Sequence, residues 1–270
     1  HEDCSLQHEL RKQVIQVKFS RAADSYDNFA KVQMEVARRL AARLIRVQKE
    51  SYVNTILEIG CGTGNFTSLL AERFPAAKIV ALDFSPEMIA RAQSKLNNNN
   101  IEFVCAEGEQ FLEKTAHRSF DLVVSNGSLQ WFSNIGNALY HIARILTPGG
   151  SMFCSIFGPE SLKELDKGLH AIQTLAAGIA AQAFPQEEQL QNALNSNFQD
   201  GRAEEELITK QYESAHDLLL HIKKTGTSGW RQKMQQPLTP VRVKMLDEWF
   251  EKNLGSCKVT YQVLYLQGNI

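Results

Sequence analysis

Nowhere among the 270 residues is there an apolar run approaching the roughly 18 residues that a membrane helix needs. Charge of one sign is also missing. Lys and Arg total 29, Asp and Glu total 30, and the formal net charge is −1. A large positive excess would favour nucleic acid or an anionic membrane surface, so neither is expected as a general partner. Cysteine is sparse and scattered: Cys4, Cys61, Cys105, Cys154 and Cys257 form no Cys-x-x-Cys pair and have no His at ligand spacing. That pattern excludes a disulfide framework and a zinc site, and no metal is expected. Reduced thiols in a cytoplasmic protein are the expectation. The start, His1-Glu2-Asp3, resembles neither a secretory signal nor a basic transit segment; without an initiator Met, the chain is read as trimmed. Repeats and low-complexity tracts are absent apart from Asn97 to Asn100, which reads as a turn.

What is present is an alternation. Phe29, Val32, Val36, Leu40, Leu44 and Val47 recur at helical spacing and predict an amphipathic helix over 29–47. Strands are then predicted at 53–59, 78–82, 101–104, 120–124 and 151–157. Helices are predicted between them at 65–73, 86–96 and 134–146, the last stopped by Thr147-Pro148-Gly149-Gly150. Strands separated by helices imply an α/β fold: a doubly wound parallel sheet covered on both faces. After Gly158 the pattern turns helical. Leu162, Leu165, Leu169, Ile172, Leu175 and Ile179 predict one long helix and residues 187–195 another, together a candidate lid at the ligand edge of the sheet. A strand near 205–212, helices near 215–224 and 240–253, and a strand at 259–266 close the chain. The expected organisation is a helical cap over 1–50, a core over 51–157, a lid insert over 158–202 and the rest of the core sheet over 203–270.

The segment Leu57-Glu58-Ile59-Gly60-Cys61-Gly62-Thr63-Gly64-Asn65-Phe66 falls between a predicted strand and helix. Glycines there allow a tight turn and close backbone approach to a ligand. The dinucleotide fingerprint has its third glycine at the sixth position, which here is Asn65, so a dehydrogenase is disfavoured. Asp83 ends the next strand, where it can accept from both hydroxyls of a ribose; it also fits a helix cap with Ser85 before Pro86. In Glu107-Gly108-Glu109, after the third strand, an acid can accept from an adenine amino group; a solvated acidic turn fits as well. Cys61, with no His base in evidence, is read as a small loop residue rather than a nucleophile.

The E-x-G-x-G-x-G loop, Asp83, the Glu107 turn and Ser125-Asn126 together resemble a class I S-adenosylmethionine-dependent methyltransferase over roughly residues 20–157. That resemblance implies a seven-stranded Rossmann-like sheet of order 3-2-1-4-5-7-6 with the last strand antiparallel. It implies that Gly60 and Gly62 face the methionine part of S-adenosylmethionine, Asp83 the ribose, and Glu107 and Gly108, or Glu109, the adenine. Glu58, Cys61, Gly64, Phe84, Met88, Asn126 and Gly127 complete the expected cofactor set. Phe19-Ser20-Arg21-Ala22-Ala23-Asp24-Ser25-Tyr26 and Ser125-Asn126-Gly127-Ser128-Leu129-Gln130-Trp131 narrow the resemblance. So do Ile222-Lys223-Lys224-Thr225-Gly226 and the ending Tyr261 to Gly268. They are similar to segments of the malonyl-acyl-carrier-protein O-methyltransferases of biotin synthesis, and the similarity spans nearly the whole chain. It implies esterification of the free carboxylate of malonyl-acyl carrier protein. The alternatives are methylation of a small free acid, as in the trans-aconitate enzymes that share the Gln-Trp motif, and a non-catalytic assembly factor of the same fold.

The chemistry fits independently. A carboxylate with a pKa near 4 is already ionised at neutral pH and needs no general base. Such a reaction needs an in-line approach and a dry pocket. Tyr26, Gln130 and Trp131 are the catalytic-pocket candidates, and Arg144, Lys223 and Lys224 are the candidate cations for the substrate carboxylate. An acidic carrier protein would dock on positive charge. Arg39, Arg43 and Arg46, along one side of the first long helix, are one candidate surface. Lys223, Lys224, Arg231 and Lys233 are the other.

Overall fold

The computed structural model describes residues 2–47, 53–174, 178–227 and 236–270. The chain opens with helices α1 (Glu2–Ala22), α2 (Tyr26–Phe29) and α3 (Lys31–Val47). Alternation follows: β1 (Thr55–Ile59), α4 (Asn65–Arg73), β2 (Lys78–Asp83), α5 (Pro86–Lys95), β3 (Ile101–Cys105), α6 (Gly108–Lys114), β4 (Phe120–Asn126), α7 (Ile135–Ile145) and β5 (Leu146–Phe157). The last part comprises α8 (Lys163–Ala171), α9 (Glu187–Asn197), β6 (Arg202–Gln211), α10 (Ala215–Lys224), α11 (Pro240–Leu254) and β7 (Lys258–Asn269). The described strands make one sheet, order β3-β2-β1-β4-β5-β7-β6. β1 to β5 pair in parallel, and β7 runs antiparallel to both β5 and β6. This is the sheet that the methyltransferase resemblance implied.

Side chains alternate between two cores because a strand has period two. Ile56, Ile79, Leu122, Val124 and Val263 pack on one face, under α3, α4, α8, α10 and α11. Leu57, Ile59, Leu82, Val123, Cys154 and Leu264 pack on the other, under α6, α7 and α9. All the parallel strands end at one edge, and the loops after β1, β2, β3 and β4 gather there.

Several expectations change. The Thr147-Pro148-Gly149-Gly150 segment does not precede β5 but bulges out of it: Phe120 pairs with Leu146, and Leu122 with Ser151. The long helix expected over 162–179 ends at Ala171. Gln173 takes a left-handed φ of 54°, and Asp166 draws the returning chain in, accepting from the Ile179 N–H at 3.0 Å and from Gln182 Nε2 at 2.7 Å. The expected lid is thereby divided. α8 packs on one face of the sheet, and α9, through fully buried Leu190 and Leu194, on the other. Residues 179–184 stay beside the ligand edge. Within the helical cap expected over 1–50 only the helix at 29–47 had been placed; α1 is a second one, and α3 starts after Phe29 rather than on it.

Candidate active site

The loop between β1 and α4 turns on Gly60 and Gly62. Gly60 has φ +75°, and a Cβ there would lie 2.1 Å from Ser128 Oγ; Gly62 has φ +54° and open space where a side chain would stand. The N–H groups of Gly60, Cys61, Gly62 and Gly64 are spent inside the fold. The Gly60 and Cys61 N–H groups both donate to the Leu82 carbonyl (2.7 and 2.8 Å), and the Gly64 N–H donates to Cys61. Gly62 donates to Asp83 Oδ2 at 2.9 Å. The loop therefore presents a bare surface rather than a nest of free N–H groups.

Asp83 stands at the end of β2, and its other oxygen accepts from the Ser85 N–H at 2.9 Å. Burial pushes its carboxyl up to about 6, against the pull of those backbone donors. Glu58, one strand over, is fully buried beneath the loop. Its Oε2 accepts from the Thr67 hydroxyl at 2.6 Å, and its Oε1 has no partner. Burial, with the nearby charge of Asp83, raises Glu58 to about 8. The same surroundings hold the Cys61 thiol well above its ordinary value, through burial first and then the charges of Asp83 and Glu58. A thiol so held is a poor nucleophile.

A cleft of about 760 Å³, counting its open mouth, runs along this edge. Gly60, Gly62, Asp83, Phe84, Met88, Glu107, Gly108, Asn126 and Gly127 line it, with Tyr26 and Trp131. Of the expected cofactor residues, four lie off its wall. Glu58 is underneath, Cys61 faces a smaller cavity behind the loop, Gly64 starts α4, and Glu109 is turned away. Glu109 accepts from the Ser133 and Asn134 N–H groups and pairs with Lys12 at 2.5 Å. Glu107 faces the cleft, caps α6 through the Gln110 N–H at 2.9 Å and meets Lys12 at 3.0 Å.

Sequence reasoning missed the contribution of α1. Lys12, Ile15 and Phe19 all line the cleft. Gln16 Nε2 donates to the Phe84 carbonyl at 2.6 Å, and Ser20 shares a hydroxyl contact with Ser85 at 3.0 Å. Asp27 holds the glycine loop from above, accepting from the Thr63 hydroxyl and Asn65 Nδ2 and pairing with Lys95. Residues 12–27 are thus strapped over the cleft. Ser128 and Phe132 were also missed. Tyr26 sits in this strap; burial and then the charges of Asp83 and Asp27 raise its phenol, so it stays protonated and serves as a neutral hydroxyl.

The expected cations are elsewhere. Arg144 Nη2 donates to the carbonyls of Leu112, Glu113 and Thr115, closing the C-terminal end of α6 away from the cleft. Its position late in α7 was legible; the orphan carbonyls it meets were not. Lys223 and Lys224 end α10, outside the cleft wall. The arginine surface expected on α3 is neutralised. Arg39 pairs with Glu35 and Glu206, and Arg43 pairs with Glu204 and lies 4.0 Å over the Tyr265 ring. Arg231 and Lys233 lie outside the described residues, as does the side chain of Arg46.

A second chamber of about 570 Å³, again counting its mouth, adjoins the cleft and shares Trp131 with it. Gln130 lines this chamber and not the cleft. Trp131 stands edge-on between Phe19 (6.0 Å) and Phe184 (5.1 Å).

A family model described as a methyltransferase domain matches residues 56–150. The malonyl-[acyl-carrier protein] O-methyltransferase of Acetivibrio thermocellus is 30% identical, covering 95% of this chain and 93% of that protein. The chain belongs to the malonyl-[acyl-carrier protein] O-methyltransferase family. A member from a Paenibacillus species is 34% identical over 80% of this chain and 82% of its own length. Solved structures agree in fold. The YcgJ protein of a Bacillus has a TM-score of 0.59 at 16% identity, over 86% of this chain and 98% of its own. A Haemonchus contortus phosphoethanolamine N-methyltransferase, solved with S-adenosylhomocysteine, has a TM-score of 0.53 at 16% identity, over 85% of this chain and 52% of its own.

As a member of this family, the chain is a methyltransferase that uses S-adenosylmethionine. The cleft fits that cofactor. Its wall carries two carboxylates with acceptor capacity left, Asp83 and Glu107, beside apolar Ile59, Leu82, Met88 and Phe132. The bare surface at Gly62 admits close approach. A cationic sulfonium with a diol and a flat base needs such acceptors and flat apolar walls. No helix among the described residues is long and apolar enough to cross a membrane.

Proposed function

We propose that this chain transfers a methyl group to the free carboxylate of a malonyl thioester carried on acyl carrier protein, an early step of biotin synthesis. The observation that carries the reading is the junction at Trp131. A cofactor cleft and a separate apolar chamber meet at one side chain, and among the described residues no His or Cys lines either. The carboxylates on the cleft wall are engaged, Asp83 by two backbone N–H groups and Glu107 by Lys12. An acceptor that is ionised beforehand needs no base here. The names carried by relatives that match along nearly the whole chain support the same substrate.

Bound S-adenosylmethionine supplies an electrophilic methyl on its sulfonium. The chain's own work is positioning and drying. Asp83 and Glu107 accept from polar groups of the cofactor, and Tyr26 offers a neutral hydroxyl near the glycine loop. The cage of Phe19, Trp131 and Phe184 keeps water from the junction. Excluding water and fixing an in-line approach together account for much of the rate such a reaction requires.

Intact-protein mass spectrometry of malonyl-acyl carrier protein, incubated with the enzyme and S-adenosylmethionine, tests the reading. The expected product is heavier by one methylene and loses that mass on mild ester hydrolysis. An unchanged carrier mass, with the enzyme shown to bind cofactor, would overturn it.

A further inference from the structure

The chamber beyond Trp131 has walls of Phe157, Leu162, Ile179, Ala181, Phe184 and Ile222, and its polar lining consists of neutral groups. Among the described residues, no Lys, Arg, His, Asp or Glu contributes to it. Such walls cannot hold a multiply charged acid, because an unpaired charge in an apolar cavity loses its hydration without compensation. Two polar atoms at the junction are buried without partners. Gln130 is 4% exposed and donates through Nε2 to the Gly127 carbonyl at 2.7 Å, which leaves its Oε1 buried with nothing to accept from. The Trp131 indole Nε1, a donor, is likewise buried and unpaired. Buried polar groups are nearly always hydrogen-bonded, so an orphaned acceptor beside an orphaned donor calls for a ligand presenting both complements. A secondary amide has one N–H and one C=O.

The other end of the chamber is set by α10. Ile222 and Thr227 line it, and Lys223 and Lys224 occupy the last turn of the same helix. Gly226 packs against the Phe19 ring and the Lys18 carbonyl, which joins this end to the strap over the cofactor cleft.

We infer that this chamber binds the arm of the substrate: a thin, extended, uncharged thioester chain bearing secondary amides, of the pantetheine type. The inference rests on the malonyl-thioester reading and goes further, since it assigns Gln130, Trp131 and the 179–184 segment to the arm. It places the reacting carboxylate on the cleft side of Trp131. It also moves Lys223 and Lys224 from the substrate carboxylate to the phosphodiester at the outer end of the arm, next to the carrier docking expected of them. A small free polyacid, having no amide and too much charge, would find no complement among the described walls of this chamber.

The test compares two substrates on the wild-type enzyme with S-adenosylmethionine: malonyl-N-acetylcysteamine, with one amide, and the malonyl S-pentyl thioester of the same length, with none. The kcat/KM should be about tenfold or more higher for the amide-bearing arm, the worth of one well-made pair of hydrogen bonds. Ala181→Trp, which fills the chamber, should erase that ratio while calorimetry still shows cofactor binding. Free pantetheine should inhibit competitively against the malonyl thioester and not against S-adenosylmethionine; this measurement decides the matter even if the variant does not fold. A wild-type ratio near one, a ratio that survives in the folded variant, or no inhibition by pantetheine would overturn the assignment. Failure of the underlying reading is distinct: no thioester would be methylated at all, and calorimetric titration of pantetheine would still show whether the chamber takes the arm.

Discussion

Glu58→Gln isolates the most perturbed carboxyl beneath the site. Glu58 is fully buried on β1, bonded through one oxygen to Thr67 and unpartnered at the other. Its pKa rises from an ordinary 4.5 to about 8, first through burial and then through the charge of Asp83, against the pull of the Thr67 hydroxyl. Between those values the folded chain keeps a proton that the unfolded chain releases. The folded state then binds more protons, so stability falls as pH rises through this window and levels off above the folded pKa. One unit is worth about 1.4 kcal/mol, so this residue withdraws about 3 kcal/mol between pH 4.5 and 7. Gln keeps the shape and never ionises, and its carbonyl can still accept from Thr67. Urea unfolding of both proteins across mildly acidic to mildly basic pH gives a difference curve from which common groups cancel. The variant should match the wild type at the acidic end and gain steadily above it, by about 2–3 kcal/mol near neutrality. Parallel curves would refute the assignment of a proton to Glu58. Because Glu58 lies under the cleft and not on its wall, cofactor affinity should change little; a large loss would put it back among the binding residues.

Asp83→Ala removes the acceptor for the Gly62 and Ser85 N–H groups together with the expected ribose partner. Cofactor affinity measured by calorimetry should fall by about 1.5–3 kcal/mol, the worth of a charged hydrogen bond, and unchanged affinity would refute the role. In the wild type, affinity should also weaken as pH falls through about 6, where this carboxyl takes up its proton. Lys12→Ala cuts the strap from Glu107 and Glu109. Cofactor should dissociate several-fold faster in stopped-flow displacement, while global stability shifts by about 1 kcal/mol or less; an unchanged dissociation rate would show that α1 does not retain the ligand.

The core of the fold was legible because its demands are strict. A strand buried on both faces must read as an apolar run, and Ile79 to Leu82 and Leu122 to Val124 do so. The ends of α5 and α7 carry ordinary signals, Ser85 capping Met88 and Asn134 capping Asn137. α1 was not legible because its apolar residues are split between two faces: Leu10, Val14 and Val17 share the exposed one, whereas Ile15 and Phe19 face the cleft. The break after Ala171 could not be seen because the apolar spacing continues through Ile172 and Ile179; the carboxylate of Asp166, reaching 13 and 16 residues ahead, overrides it. Charges misled for a related reason. Arg39 and Arg43 sit on a regular helical spacing that suggests an open surface, yet the partners that neutralise them come from β6, more than 160 residues away.

The two halves of the candidate site differ in the same way. The cofactor half constrains the backbone: a left-handed turn at Gly60, close packing on Ser128, and a carboxylate at the end of β2. Few residues satisfy those conditions, so the sequence displays them. The substrate half asks only for a wall that is apolar and uncharged, and Ile179, Ala181, Phe184 and Ile222 could each be replaced by other apolar residues without loss of that character. Such a requirement leaves no motif. What does leave one is the junction, where Phe19 touches Phe84 on the cofactor side, Trp131 on the shared wall and the Gly226 turn on the chamber side. One side chain packed against three elements tolerates little change in size or angle. The recognisable Phe19 to Tyr26 segment is therefore the part of the cap that aligns the two cavities, and the exposed face of α1 before it carries no such constraint.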